Sequence, residues 1–431
     1  DRVAALAHNE AELVVLLLAC RAGGFTLCPL NWRLAGPELS AVLGDFRPAL
    51  LFHGAAFAEA SARLAAACGA RRLSFCDFAD ARAEQGAAPR AGLPKDEAVP
   101  LVLYTSGTTG RPKGAMLSNR MLHANASLTL LGWGLGPDDA TVSGAPLFHT
   151  GGWNVMTLPL LFGGGQVTLT AKFEAPRTAE LLRAGRATAL FGVPAMFQSL
   201  LAEDLGSWKP YFLVSGGAPC PAPLLDDFLG RGLVFKQGFG MTEVGPNCFC
   251  FPTPDVRRKR GSVGVPMPGT EMRLLDPDGR EADAGELYVR GPHVFSGYLG
   301  RPEETAQTLV DGWVRTGDLA QRDADGYFYV LGRRKEMYIS GGENVYPVEV
   351  EAALQAHPGV LEAAVVGVPH ERWGEVGRAF VVARPGAAVS SDELAAFLDG
   401  RLARYKRPKE IRIRASLPKN AMGKVLKGAL S

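Results

Sequence analysis

Tyr104-Thr-Ser-Gly-Thr-Thr-Gly-Arg-Pro-Lys-Gly114 follows the apolar segment Val99 to Leu103, which reads as a buried strand. Its three glycines let a backbone approach an anion closely, four hydroxyls can donate hydrogen bonds, and Lys113 supplies a point charge. A triphosphate requires that combination, so Thr105, Ser106, Gly107, Thr108, Thr109, Gly110 and Lys113 are candidate phosphate contacts. The segment is not a Walker A loop, which needs Gly-Lys-Ser/Thr opening a helix. Here Pro112 precedes the lysine and Gly114 follows it, so a helix start is disfavoured.

Around that loop lie 431 residues, enough for one large domain with a smaller one. Apolar residues make up 47% and charged residues 21%, a balance that buries a sizeable core and excludes global disorder. The net charge of +2 removes the strong basic field on which nucleic-acid binding rests. Charge is uneven along the chain, however. Residues 401–431 carry ten Lys/Arg against one acid, Glu410, either to attract a polyanionic small molecule or simply as a solvated face. The longest apolar run, Leu13 to Cys20, falls well short of the roughly 20 residues that span a bilayer, so no transmembrane segment is expected. Seven cysteines without ligand spacing, and no secretory leader, point to reduced thiols and a cytoplasmic location. The chain opens on Asp1 with texture typical of a domain interior, so its natural start is expected upstream.

Strand candidates (Ala49 to Phe52, Leu101 to Thr105, Gln166 to Thr170, Ala189 to Phe191, Tyr211 to Val214, Val234 to Lys236) alternate with helical stretches such as Asn9 to Ala22, Ala179 to Gly185 and Pro194 to Ala202. That alternation predicts doubly wound parallel α/β layers. After Gly261 short alternating strands with Gly/Pro/Asp turns predict an antiparallel sheet or small β-barrel. Beyond Gly332-Arg333-Arg334-Lys335 a strand/helix mixture predicts a small α+β domain, with a helix from Ser391 to Arg404 capped by Ser391. The fold class expected is therefore α/β: a large domain over 1–332 and a small mobile one over 333–431.

The loop at 104–114 resembles the phosphate-binding signature of the adenylate-forming superfamily, which holds acyl- and aryl-CoA synthetases, peptide-synthetase adenylation domains and firefly-type luciferases. Further segments match that superfamily in order: Pro146-Leu-Phe-His-Thr-Gly-Gly152, Ser215-Gly-Gly-Ala-Pro219, Gln237-Gly-Phe-Gly-Met-Thr-Glu243, Gly285 to Gly291 with Gly297-Tyr-Leu299, Thr316-Gly-Asp318, Gly326 to Arg333, Ser340 to Pro347, and Leu417 to Lys424. The resemblance covers the chain essentially end to end.

It implies substrates and cofactors (ATP, Mg²⁺ and CoA) and a role for each motif. Gly217, Ala218 and Pro219 would border the adenine, as would Gly238, Phe239, Gly240 and Met241, with Phe239 stacking where the family often has Tyr. Thr242 would donate to a phosphate, and Glu243 would hold Mg²⁺, a hard ion that prefers oxygen ligands. Asp318 and Arg333 would contact the ribose, with Val330 nearby. Taken alone, Phe239 and Met241 read as core residues, Asp318 as a turn acid, His149 as a satisfied core histidine and Lys424 as a surface lysine. By resemblance His149 stands at the mouth between the carboxylate and thiol routes, and Lys424 swings in during adenylation, where a cation offsets charge building on phosphorus. Lys335 aligns with the hinge, and Gly341 and Gly342 with the pantetheine path.

The expected activity is that of an acid:CoA ligase, forming an acyl-adenylate and then a thioester. Peptide-synthetase domains typically carry Asp where His149 stands, and an α-ammonium buried without that partner would cost several kcal/mol, which disfavours an amino acid. Trp153, Val193, Met196, Gly216 and Cys248 are the candidate acyl pocket. Its apolar character gives a medium- or long-chain fatty acid as first expectation and an aryl acid as second. A carrier-protein acceptor, luciferase chemistry, a non-catalytic binding role and a homodimer are left open.

Overall fold

The computed structural model describes residues 1–84, 95–105, 112–420 and 423–430, with the side chains of 81–84 excepted. The phosphate-loop candidates Ser106, Gly107, Thr108, Thr109 and Gly110 lie outside the described residues.

Strand Arg2–Leu6 shows why the chain winds on both faces of its first sheet. Val3 and Ala5 join one buried cluster with Leu13, Leu16 and Leu17 of helix Ala11–Gly23, while Ala4 and Leu6 join another with Val42, Leu43 and Phe46 of helix Gly36–Phe46. Alternate residues of a strand point to opposite faces, so both faces need a helical cover. The sheet runs Arg71–Ser74, Leu50–His53, Arg2–Leu6, Thr26–Pro29, Leu101–Thr105, Lys113–Leu117 in space. All neighbours are parallel except the last pair, in which Thr105 stands opposite Lys113. The phosphate-loop motif therefore joins two antiparallel strands and opens no helix, as Pro112 and Gly114 required.

A second parallel sheet consists of Ala189–Gly192, Phe212–Ser215 and Phe235–Gln237, with Ala140–Ser143 and Gln166–Leu169 forming a parallel pair. One face buries Leu190, Leu213 and Phe235 against Phe197 and Phe228; the other buries Ala189, Phe212 and Val214 against Val155 and Met156. The strands expected as a small barrel form a five-stranded antiparallel sheet in which Trp313–Arg322 pairs with Ala284–Arg290 on one side and Phe328–Arg333 on the other. A Gly264–Phe328 bridge extends it toward the strand pair Phe249–Cys250/Val265–Pro266.

After the 3₁₀ turn Arg334–Glu336 the chain builds a separate sheet from Tyr338–Ser340, Glu343–Val345, Val360–His370, Gly374–Ala383 and Glu410–Arg414. Helices Pro347–Gln355 and Ser391–Leu398 flank it, burying Val350, Leu354, Leu394 and Leu398 against Val365 and Val381.

Two expectations need correction. The helix expected to start at Asn9 begins at Ala11, because the Asn9 amide is used across the fold: Nδ2 donates to Ala145 O at 2.9 Å, and Oδ1 accepts from Leu147 N at 3.0 Å. The helix expected from Ser391 to Arg404 is capped by Ser390 and ends at Leu398. Ser390 Oγ accepts from Glu393 N at 3.1 Å, while the Glu393 carboxylate accepts from Ser390 N at 3.3 Å, a reciprocal cap that Ser391 cannot make. Asp399 is extended and Gly400 has φ +74°, which stops the helix.

Candidate active site

The three parallel strands of the second sheet end at one edge, where their loops meet. Gly216 N donates to Gly192 O at 3.2 Å and Gly238 N to Ser215 O at 2.8 Å, so the segments 193–194, 216–219 and 238–243 all leave from the carboxyl ends of adjacent strands. Open α/β sheets bind ligands at that edge. The segment 238–243 is held tightly by main chain. A Cβ at Gly240 would fall inside the van der Waals radius of the Pro246 carbonyl, and Met241 bridges to Gly245. Phe239 meets Phe249 edge-on at 5.9 Å and is half-buried, so one side of its ring is occupied by the core. Gly217 (φ +80°) and Pro219 are exposed and Ala218 half-exposed at the rim, as is Thr242 in the neighbouring loop.

Glu243 is buried, and burial pushes its carboxyl upward from the ordinary range. The Tyr298 hydroxyl donates to Glu243 Oε1 at 2.7 Å, and Lys113 Nζ lies 5.3 Å from the centre of the Tyr298 ring. The carboxylate expected to hold a metal and the lysine expected to meet phosphates are thus brought together by a tyrosine. Its motif, Gly297-Tyr-Leu299, was visible in the sequence without a role. His293 supports the same loop, bridging Thr270 Oγ1 at 2.7 Å and Val244 O at 2.6 Å.

Asp318 and Arg333 face each other across antiparallel strands, and Arg333 Nε lies 2.9 Å from Asp318 Oδ1. Asp318 Oδ2 is buried without a hydrogen-bond partner among the described residues. Burial pushes the Asp318 carboxyl up to about 6, against the opposing pull of Arg333 and Lys424. An orphaned buried carboxylate oxygen is costly unless a donor arrives, and ribose hydroxyls are donors. Val330, one strand over, pairs with Ala320.

Lys424 belongs to the C-terminal part yet stands within electrostatic reach of Asp318 and Arg333; burial, with Arg333, holds its ammonium below the ordinary lysine range. Gly423 beside it approaches Ala195 of helix Pro194–Leu200. The lysine from the far end of the chain is therefore near the carboxyl edge of the second sheet, beside Asp318 and Arg333. Gly341 (φ +64°) and Gly342 (φ +90°) form the exposed turn between Tyr338–Ser340 and Glu343–Val345, with Gly341 against Trp373. Lys335 is exposed in the connecting 3₁₀ turn.

His149 contacts Phe148 at 4.7 Å and keeps Nε2 buried without a partner among the described residues. Burial first, then the nearby Arg33, lowers it to about 4, so the ring is neutral at physiological pH. Arg33 lies over Trp32 at 4.8 Å and over Phe148 at 5.9 Å, an arrangement the sequence did not disclose. Of the acyl-pocket candidates, Trp153 and Cys248 are fully buried: the Trp153 indole N–H donates to Leu147 O, and Cys248 Sγ donates to Gly245 O at 3.1 Å. Val193 begins helix Pro194–Leu200, and Met196 fills space beside Phe191 and Gly192, where a cavity of about 10 Å³ remains. Gly216 faces the edge of Phe191.

Several basic-tail residues are spoken for: Lys406 pairs with Glu349, Arg407 with Asp399, Arg412 with Glu410, Lys419 with Glu362, and Lys427 with Glu336 and Glu351. Most of those acids lie elsewhere in the C-terminal part.

Comparison with known proteins bears on the chain as a whole. Residues 1–299 match the profile described as AMP-binding enzyme and residues 349–424 that of its C-terminal domain. A feruloyl-CoA synthase of Amycolatopsis sp is 43% identical over 437 residues, covering 99% of this chain and 88% of that protein. An indoleacetate–CoA ligase of Aromatoleum aromaticum is 38% identical over 99% of this chain and 86% of its own length. The crystal structure of ATP-bound MatB from Rhodopseudomonas palustris superposes with a TM-score of 0.91 at 36% identity, covering 100% of this chain and 88% of that one. With both profiles matched in order over most of its length, the chain belongs to the AMP-binding enzyme family.

Proposed function

We propose that this enzyme is an ATP-dependent acid:CoA ligase whose acid is aromatic, an aryl, arylacetic or arylpropenoic acid. The observation that carries the ligase reading is the meeting of Asp318, with its unpartnered oxygen, and Lys424 from the opposite end of the chain. A carboxylate is a poor electrophile because its leaving group would be oxide. Attack on the α-phosphorus of ATP exchanges that for AMP, with pyrophosphate released, and the CoA thiol then displaces AMP. Lys113 and Lys424 offset charge on the transferring phosphate, and Asp318 with Arg333 holds the ribose. Glu243 fits a hard divalent ion: it is a buried carboxylate that one phenol donates to, with Lys113 near. Held by Glu243, Mg²⁺ would supply charge neutralisation on the phosphate oxygens. The neutral His149 and the turn Gly341–Gly342 serve the thiol step, after the part beyond Lys335 has rotated.

An aromatic acid replaces the fatty acid first expected. Met196 closes the space beside Gly192, Trp153 and Cys248 are committed to the core, and buried Gly216 packs directly against the Phe191 ring, which leaves little room there for a long flexible chain. The names of the feruloyl and indoleacetate relatives support the same choice. A pyrophosphate-release screen over benzoates, cinnamates, arylacetates and C6–C16 fatty acids, with CoA or a phosphopantetheinylated carrier protein, tests it. Aromatic acids with CoA should give the highest kcat/KM. A fatty acid surpassing every aromatic acid, or a carrier protein replacing CoA, would overturn the assignment.

A further inference from the structure

Lys424 reaches the nucleotide edge from a hairpin whose supports are unequal. Asn420 N donates to Lys424 O at 2.8 Å and Lys424 N to Asn420 Oδ1 at 2.9 Å, while Leu426 N returns to Pro418 O at 2.8 Å. Leu417, Val425 and Leu430 seat the hairpin on the sheet face carrying Ala364 and Phe380. These contacts fix the hairpin on its own sheet; none of them ties it to the segment between the two parts of the chain. Lys427 supplies that tie. Its Nζ lies 2.7 Å from Glu351 Oε1, on helix Pro347–Gln355, and 3.1 Å from Glu336 Oε2, in the turn directly after Lys335. Glu351 Oε1 also accepts from Val365 N at 2.8 Å, which fastens that carboxylate to the central strand pair.

We infer that Lys427 is a positioning residue for adenylation: by gripping Glu336 and Glu351 together it locks the hinge turn, helix Pro347–Gln355 and the Lys424 hairpin into one body, so that a rotation at the hinge sets the place of the Lys424 amine. The inference rests on the ligase reading above. The three groups are poorly solvated, with side-chain exposures of 18% for Lys427, 12% for Glu351 and 26% for Glu336, so water competes weakly for them. An amine that must meet a transferring phosphate tolerates little slack, since a misplacement of about 1 Å costs on the order of 100-fold in rate. The apolar contacts and the Lys419–Glu362 pair hold the hairpin on its sheet but leave the hinge turn free to move relative to it. An ion pair to two elements removes that freedom.

The test uses Lys427→Arg, Lys427→Met and the double variant Lys427→Met/Glu351→Gln, the last so that no buried carboxylate is left unpaired while the acceptor for Val365 N is kept. Two readouts are taken on each purified full-length variant. The first is the ratio of acid-dependent pyrophosphate exchange to thioester formation from a supplied acyl-adenylate and CoA. The second is the rate at which an amine-reactive ester modifies Lys424, read by mass spectrometry without any substrate. Lys427→Met and the double variant should lose tenfold or more in exchange, keep thioester formation within twofold, and label Lys424 severalfold faster than wild type; Lys427→Arg should stay near wild type in all three. Equal loss in both half-reactions would reduce Lys427 to a general structural role, and unchanged labelling of Lys424 would overturn the inference whatever the activity. Wild-type protein that exchanges no pyrophosphate with any acid would sink the ligase reading instead, while the labelling comparison still judges the role of Lys427.

Discussion

Asp318→Asn should make the unliganded enzyme more stable and a poorer binder of ATP, in a pH-dependent way that can be worked out beforehand. The carboxyl is 5% exposed and pushed up to about 6, where an aspartate ordinarily titrates near 3.8. That gap corresponds to about 3 kcal/mol at 1.36 kcal/mol per pH unit. The sign follows from proton binding. Between pH 3.8 and 6 the folded protein holds a proton on Asp318 that the unfolded chain has released, so wild-type stability falls as pH rises through that window and is low by the full amount above it. Asparagine carries no such penalty. At pH 8 the variant should be stabilised by at most about 3 kcal/mol, roughly 3 °C in Tm for a chain this long, and at pH 4 the difference should vanish. The lost pair with Arg333 subtracts little, because that guanidinium is 29% exposed and water takes it up. ATP affinity should fall by about ten- to a hundredfold, the worth of a charge-assisted hydrogen bond or two. Thermal melts of both proteins from pH 4 to 8, with calorimetric ATP titration at pH 8, measure the two effects. A variant that melts lower at pH 8, or an offset that does not change with pH, would show that Asp318 anchors Arg333 rather than waiting for a ribose.

Lys424→Ala should cut adenylate formation by about 100-fold or more, the scale of a lost transition-state charge partner. Thioester formation from supplied acyl-adenylate should be largely spared, and an equal loss in both steps measured by rapid quench would contradict the role. Lys335→Pro fixes φ in the connecting turn, so pyrophosphate release should persist while thioester formation drops by about tenfold or more; an unaffected second step removes the hinge. Tyr298→Phe deletes the donor on Glu243 and should raise the Mg²⁺ concentration needed for half-maximal exchange by about three- to tenfold. A titration curve superimposable on wild type would mean the phenol does not orient that carboxylate.

Strands that are buried apolar runs ended by glycine or a turn were legible, which is why Leu101–Thr105 falls where the sequence placed it, whereas Arg2–Leu6, Thr26–Pro29 and the half-exposed Arg71–Ser74 were not singled out. Boundaries slipped where a side chain had a distant use. Asn9 looks like part of a helix until its amide is seen bonded to Ala145 and Leu147, some 136 residues away. The site itself divides the same way. Residue types within one motif, such as Glu243 or Asp318, announce their chemistry, whereas the partners that tune them come from other motifs: Tyr298 on Glu243, Arg33 beside His149, Lys427 behind Lys424. The basic tail was only half legible for the same reason. Its charge was countable, but the acids that answer it, Glu336, Glu349, Glu351 and Glu362, lie on other elements of the same domain.

Charge balance connects the site to the motion it requires. Lys113, Arg333 and Lys424 lie within electrostatic reach of the carboxylates of Glu243 and Asp318, with Glu336 and Lys427 close behind. Burial makes each of these charges costly, and the ammonium of Lys424 is held below its ordinary range by that cost and by Arg333. A triphosphate would bring further negative charge among these cations and hold Lys424 in place. Once pyrophosphate has left, the acyl-adenylate carries a single negative charge, the Coulomb attraction on Lys424 falls, and its desolvation cost remains. On the proposed function the lysine would then be favoured outside, and the hinge turn that Lys427 joins to it would be free to carry Gly341–Gly342 toward the thiol path. On this argument chemistry in the first step provides the drive for the second. Raising ionic strength should therefore slow adenylation more than thioester formation, since screening weakens the inward pull on Lys424 and leaves its outward preference intact.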